Sequence, residues 1–169
     1  MKKYIGKFKA ADTSPKRNSV EFSTYSGLGG LVAVSVIALL SEQTTVPMIM
    51  APLGASCVLA FGVPDSPLAQ PRNIVGGHFI ASLIGLAVYH VLGQAWYSMA
   101  IGVGLAIFLM QLTKTTHPPA GADPLIIILS GASWKFLISP VLSGSLILVA
   151  VAVLFNNIHS KRKYPKYWR

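Results

Sequence analysis

Apolar residues run through this 169-residue chain in six blocks, separated by short polar or proline-rich stretches. The blocks cover about Phe22–Ser41, Pro47–Gly62, Asn73–Leu92, Ala95–Thr113, Thr115–Ser130 and Phe136–Phe155. Blocks one, three, four and six have the length of a membrane helix, about 20 residues. From Asn73 to Thr113 there are 41 residues without a Lys, Arg, Asp or Glu. A soluble chain this short cannot wrap two helices that apolar. The pattern predicts an all-α polytopic membrane protein. Glycines and serines within the blocks suit close helix packing in lipid. Trp96, Tyr97, Trp134, Tyr164, Tyr167 and Trp168 stand near block ends, as interfacial aromatics do.

Blocks two and five are short and carry prolines. Sixteen residues of unbroken helix reach about 24 Å, less than a ~30 Å hydrocarbon core. An extended stretch at about 3.1 Å per residue followed by helix at about 1.5 Å per residue reaches farther. Pro47–Pro52 extended and Leu53–Gly62 helical fits that arithmetic. So does Lys114–Pro119 extended and Ala120–Ser130 helical. Both breaks are expected near the bilayer middle. Irregular backbone is tolerated there only where protein buries it or a cavity adjoins it.

The short blocks also resemble each other. Pro52-Leu53-Gly54-Ala55-Ser56 parallels Pro119-Ala120-Gly121-Ala122-Asp123 at an offset of 67 residues. The same offset sets Gly77 on Gly144 and Ile80 on Ile147. The order long, short-and-broken, long occurs twice, over about 22–92 and about 95–155. Three crossings per repeat would invert the second repeat relative to the first. The expected architecture is therefore two inverted three-segment repeats, each with a short Pro/Gly-broken or re-entrant second segment. In transporters so built, paired broken segments point to the binding site.

Composition agrees: 53% of residues are hydrophobic and 11% charged, against about 25% charged in soluble domains. The net charge of +9 is not a nucleic-acid footprint. Eleven of the fourteen basic residues lie in the tails, residues 1–21 and 156–169. The positive-inside rule then expects both termini in the cytoplasm. Arg72 and Lys114 fall on that side if there are six crossings and on the other if there are four. Residues 1–19 stay polar, unlike a secretory signal, and the start looks bacterial, which implies an inner-membrane location. The lone Cys57 rules out an intrachain disulfide and reads as a small buried hydrophobe.

Each broken segment would begin a half-helix inside the membrane. Helix N-termini offer unpaired N–H groups and partial positive charge. Two of them together make a site for a small anion. The candidate residues are Pro52, Gly54, Ala55 and Ser56 on one side. On the other are His117, Pro118, Pro119, Gly121, Ala122 and Asp123. Arg72 and Lys114, with His117, could add positive field along an entry path, and Asn73 and His78 are further candidates. Rival roles stand beside these. His117 either lines the site or only caps a helix. His78 either packs or contacts solute. Asp123 either caps its helix or faces the ligand, and an ionised carboxylate there would repel an anion. Arg72 and Lys114 also serve as topology determinants.

The stretch Thr116-His117-Pro118-Pro119-Ala120-Gly121-Ala122 resembles the signature of the HPP family of integral membrane proteins. Pro52–Ser56, the stretch Phe61–Asn73, and Gly76-Gly77-His78 resemble that family too. Members are usually described with four membrane helices, and some plastid and cyanobacterial members are associated with nitrite transport. The resemblance implies passage of a small inorganic anion, nitrite being the example. Asp123 departs from the amide found there in many relatives. The expected protein is a channel or secondary carrier in the lipid bilayer, not an enzyme. It is expected to need no cofactor or metal and to be a homo-oligomer because the chain is small. The rival expectation is a membrane scaffold or accessory subunit with no permeation path.

Overall fold

The computed structural model describes residues 2–8, 10 and 12–168, and all regular structure among them is helical. A short helix α1 (Lys2–Ile5) is followed by α2 (Val20–Thr44), α3 (Ala51–Cys57) and α4 (Pro71–Leu92). Then come α5 (Trp96–Leu112), α6 (Asp123–Ser130) and α7 (Ser143–Ile158). Helix α3 runs on through a π-helical turn, Val58–Gly62, whereas the stretch Leu137–Leu142 that leads into α7 is kinked at Ser139, which is extended (φ −140°, ψ 122°) just before Pro140. A 3₁₀ stretch, Pro118–Ala122, precedes α6.

The boundaries follow local chemistry. The Ser19 hydroxyl accepts the Phe22 N–H at 3.1 Å and caps α2, satisfying a donor that the first turn leaves free. Pro71 stands at the start of α4, where its missing N–H costs nothing. Helices α4 and α6 stop at Gly93 and Gly131, both at positive φ.

Three helical runs are long and apolar enough to cross a membrane: Val20–Thr44, Pro71–Leu92 and Leu137–Ile158. Ala51–Gly62 and Trp96–Leu112 are shorter apolar helices. The hydrophobic blocks thus become helices close to where the pattern set them. Leu31 on α2, Phe108 on α5 and Leu154 on α7 point outward. The shared interior is made of small and branched residues, among them Ala33, Ile37, Leu53, Ile74, Leu148 and Ala152. An apolar exterior on an apolar core is what lipid, not water, permits.

Hydrogen bonds define the two ends of the bundle. At one end Arg162 bonds the Phe22 and Phe61 carbonyls, Lys166 pairs with Asp65 at 2.7 Å, and Arg72 bonds the Thr113 carbonyl at 2.8 Å. At the other end the Ser139 hydroxyl donates to the Pro47 carbonyl, and Gln94 donates to Leu129 at 2.7 Å. Each of the six segments therefore runs from one end to the other, and α2 begins where α7 finishes.

The breaks do not share one level. The Thr115–His117 stretch lies against Gly76 and Gly77 of α4. Gly77 is six residues past Pro71, about 9 Å along the helix. The Met48 backbone lies against Gly144, one residue past the start of α7 at Ser143, near the opposite end where Ser139 bonds the Pro47 carbonyl. Expectation put both breaks at the middle because five extended residues were assigned to each. The second break has only three non-helical residues after the Lys114 turn. The first curls back, because the Ser41 hydroxyl donates to Val46 and accepts from Met48.

The basic tail is not a free appendage. Tyr164 is 2% exposed, and its hydroxyl donates to the Ala69 carbonyl at 2.7 Å. The Lys166 N–H donates to Gln70 Oε1 at 2.7 Å. Burial raises the Tyr164 phenol above its ordinary pKa, so the folded tail favours the neutral form. Docking is then fully present below about pH 10 and is lost as pH rises through the raised value. Limited proteolysis should find the wild-type tail protected at neutral pH. Tyr164→Ala should be cut at neutral pH, and protection of that variant would refute the anchor.

Candidate functional site

Four polar side chains from four parts of the chain meet inside the bundle. Ser56 comes from α3, His78 from α4, His117 from the break before Pro118, and Asp123 from the first turn of α6. All four are fully buried. Ser56 Oγ lies 2.8 Å from His78 Nε2 and 2.8 Å from His117 Nε2. It also lies 3.1 Å from the Pro52 carbonyl. His78 Nδ1 lies 2.8 Å from Asp123 Oδ2, which accepts the Ser82 hydroxyl at 3.1 Å. His117 Nδ1 lies 2.8 Å from the Leu68 carbonyl. The two imidazole rings stack edge-on with centroids 5.0 Å apart. The result is one continuous line from Asp123 through His78, Ser56 and His117 to Leu68.

Local sequence makes this meeting possible. His117 is extended because it precedes Pro118 (φ −137°, ψ 102°). Gly77 lets the break approach α4: a Cβ on it would lie 2.6 Å from His117 Cβ and 2.9 Å from the Thr115 carbonyl oxygen. His78 and Ser82 are four apart on one helix face, so both reach Asp123. Asn73 holds the break from its other side, donating to the Thr116 carbonyl at 2.9 Å.

Of the residues singled out in the sequence, Ser56, His78, His117 and Asp123 come together, with Pro52 supplying a carbonyl. Asp123 does not cap its helix; its carboxylate is committed to His78 and Ser82. Pro119 is buried beneath the cluster, whereas Gly121 and Ala122 are half-buried. Gly54, Ala55 and Pro118 are exposed on the outer faces of their helices. Arg72 is bound to Thr113, and Lys114 is exposed on a turn at φ 57°. Neither reaches the cluster. Sequence reasoning missed Ser82 and the Leu68 carbonyl. The first was detectable as the residue four after His78; the second carries no sequence signal.

The space between the breaks is filled by these side chains. A cavity of about 550 Å³ opens at the end holding the tail, lined by Phe22, Tyr25, Asp65, His159 and Arg162. Another of about 620 Å³ opens at the opposite end, lined by Pro47, Lys135, Phe136 and Ser139. A third of about 390 Å³ is an outward groove between α2 and α3. None of the three is lined by a member of the cluster. The Arg162 guanidinium stacks over Phe22 and Tyr25, at 4.3 and 4.6 Å from their centroids. Lys135 lines one mouth, and Lys161 and Arg162 line the other together with the carboxylates of Glu21 and Asp65, a role that spacing in the sequence does not reveal.

Ser56, His78 and Asp123 have the connectivity of a hydrolytic nucleophile, base and orienting acid. Here the hydroxyl is enclosed, shared with a second imidazole, and outside all three cavities. Among the described residues no group of three or more His, Cys, Asp or Glu side chains is placed to hold a metal ion.

Comparison with known proteins agrees with this architecture. Two transmembrane proteins of Dictyostelium discoideum are similar to the chain. One is 38% identical over 177 aligned positions, covering 98% of this chain and 57% of the relative. The other is 35% identical over 179 positions, covering 99% and 62%. The chain thus spans roughly three-fifths of the length of these relatives. No solved structure matches it. The profile of the HPP transmembrane region matches residues 15–165, which includes every member of the buried cluster. The chain is a membrane protein and belongs to the HPP transmembrane family.

Proposed function

We propose that the chain is a channel or secondary carrier for a small inorganic anion such as nitrite, with Ser56, His78, His117 and Asp123 at its centre. The observation that carries this reading is the fully buried, hydrogen-bonded polar line between two broken helices. Ionisable residues inside membrane segments are expensive and mark solute or proton pathways. The cavities at opposite ends serve as vestibules, each with a cation at its mouth, and the cluster between them is the closed gate. Both termini are assigned to the cytoplasm from their basic charge, and the small protomer is assigned to a homo-oligomer.

The 67-residue repeat expected from the sequence would suit the same reading, and these contacts are consistent with it. Gly77 receives the Thr115 backbone, and Gly144 receives the Met48 backbone. Each of these residues has its counterpart 67 positions away. Ser56 and Asp123, equivalent by that offset, both bond His78. Gly54 and Gly121, also equivalent, both have open space where a Cβ would stand. Exchange between two such halves is how many carriers alternate access.

The test is nitrite entry into proteoliposomes. A Cβ at Gly121 meets nothing within 4 Å, so Gly121→Ala should fold as the control, and the bulkier Gly121→Leu is expected to block entry. His117→Ala removes two hydrogen bonds to neutral groups from the gate; at about 0.5–1.5 kcal/mol each, roughly 1–3 kcal/mol together, this should change flux by about five- to 150-fold. Entry that ignores both substitutions would remove this centre from the pathway. A second reading, a scaffold without permeation, is favoured by the sealed centre. It wins if wild-type vesicles admit no more nitrite than protein-free ones.

A further inference from the structure

The buried polar line has more contacts than hydrogens. A carbonyl only accepts, so His117 Nδ1 carries a hydrogen toward Leu68. A neutral His117 then turns a bare Nε2 toward Ser56. At the far end one hydrogen lies between Asp123 Oδ2 and His78 Nδ1. With Asp123 ionised and His78 neutral, that hydrogen belongs to His78, and its Nε2 is bare as well. Both bare nitrogens sit 2.8 Å from the same Ser56 oxygen. Serine has a single hydroxyl hydrogen, and the Pro52 carbonyl competes for it at 3.1 Å.

The consequence is a count. An ionised carboxylate with two neutral rings leaves the line from Asp123 to Leu68 one hydrogen short, with net charge −1. One added proton closes every contact in that line and makes the cluster neutral. A second added proton lets both rings donate to Ser56 Oγ while the hydroxyl donates to Pro52. The cluster then carries net charge +1, which a monovalent anion balances.

A separate observation bears on the same carboxylate. Asp123 Oδ1 is buried without a hydrogen-bond partner, the one such side-chain atom among the described residues. An acceptor left bare at the end of a hydrogen-bonded line is open to one more donor.

The neighbouring elements supply no other charge to this site. Helix α3 contributes Ser56 and carries the buried Cys57 thiol, and α4 contributes His78 and Ser82. Helix α5 packs there with Met110 and Ala106. The Val63–Gln70 loop offers the Leu68 carbonyl, while its Asp65 is paired outside with Lys166. Arg72 is engaged with Thr113. On α7, Ser145 and Asn156 are buried and uncharged.

We propose that Ser56, His78, His117 and Asp123 form a proton-binding site, and that one proton crosses with each monovalent anion. This rests on the transport reading above and names its coupling. The step balances: one proton and one anion enter together, N–H and O–H hydrogens shift along the line, and no net charge moves.

The experiment uses proteoliposomes of the full chain, with rates corrected for protein-free vesicles because nitrous acid itself permeates lipid. An acidic outer medium should raise the protein-dependent initial rate of nitrite entry. A potassium–valinomycin potential of either sign should leave that rate unchanged. Asp123→Asn, which keeps the shape but lacks the carboxylate, should abolish the response to pH. Entry that follows voltage and ignores the pH gradient overturns the coupling and leaves the transport reading standing. Absence of any protein-dependent entry overturns the transport reading, and the coupling with it. The proton site has its own readout in infrared difference spectra of purified protein between about pH 4 and pH 9, bracketing the range where imidazole titrates. Carboxyl or imidazole bands lost in Asp123→Asn are expected. Identical spectra for wild type and variant overturn the site.

Discussion

Gly144→Ala is expected to lower the thermal midpoint of the purified protein by roughly 6–12 °C. The added methyl would fall on the Met48 carbonyl oxygen and within 2.6 Å of Leu53 Cδ1. Backbone cannot rotate aside as a side chain can. The Met48 stretch is also tied down, since its N–H is held by Ser41 at 3.2 Å. Overpacking of this kind costs about 1–3 kcal/mol, and a backbone clash belongs at the upper limit. At about 2–4 °C per kcal/mol for a chain of this size, the shift follows. Gly104→Ala is the control, because nothing lies within 4 Å of its Cβ position. That helical substitution should be neutral or slightly stabilising. If the two variants melt together, α7 and the first break do not approach as described.

Removal of His78 should cost about 3–5 kcal/mol, because Asp123 would be left buried with one serine for a partner. The pair is 2.8 Å apart with both side chains fully enclosed. Asp123→Ala should cost a similar amount by stranding His78. The two losses share one cause, so the double variant should cost less than their sum, with a coupling of about 0.5–3 kcal/mol. Chemical unfolding of His78→Ala, Asp123→Ala and the double variant measures this. Strict additivity would mean that the two groups do not support each other, and the polar line would lose its central link.

Much of the architecture was legible because membrane helices announce themselves through length and apolarity. The blocks at Phe22–Ser41, Asn73–Leu92 and Phe136–Phe155 reappear as α2, α4 and the run into α7. The broken segments were legible because proline restricts the residue before it. His117 is extended for that local reason, whereas Ala51 before Pro52 is helical and the extended Met50 stands one residue earlier as the cap of α3. The candidate residues Ser56, His78, His117 and Asp123 were visible singly, as polar groups where polar groups are costly. Their connectivity was not. Ser82 looked like one of many small helix residues, and the Leu68 carbonyl belongs to a residue whose side chain says nothing. Arg72 and Lys114 looked like charges aimed at the site. In the fold they are engaged or exposed elsewhere, because charge in a sequence carries no direction. The tail's lysines and arginines were read only for topology; that Tyr164 and Arg162 pack onto the bundle had no sequence signal.

The amino-acid order alone determined that this chain lives in lipid, where its helices run, and at which two places they are interrupted. Those properties are local: hydropathy over a helix length, and the backbone limits of proline. Only the tertiary structure decided how far each interruption lies from the bundle ends, and that the space between them is closed. It also decided that an acid, two imidazoles and a hydroxyl share too few hydrogens. Those properties depend on distances of a few ångströms between segments as many as 96 residues apart (Met48 and Gly144), set by glycines that admit neighbouring backbone. No periodicity along the chain encodes them.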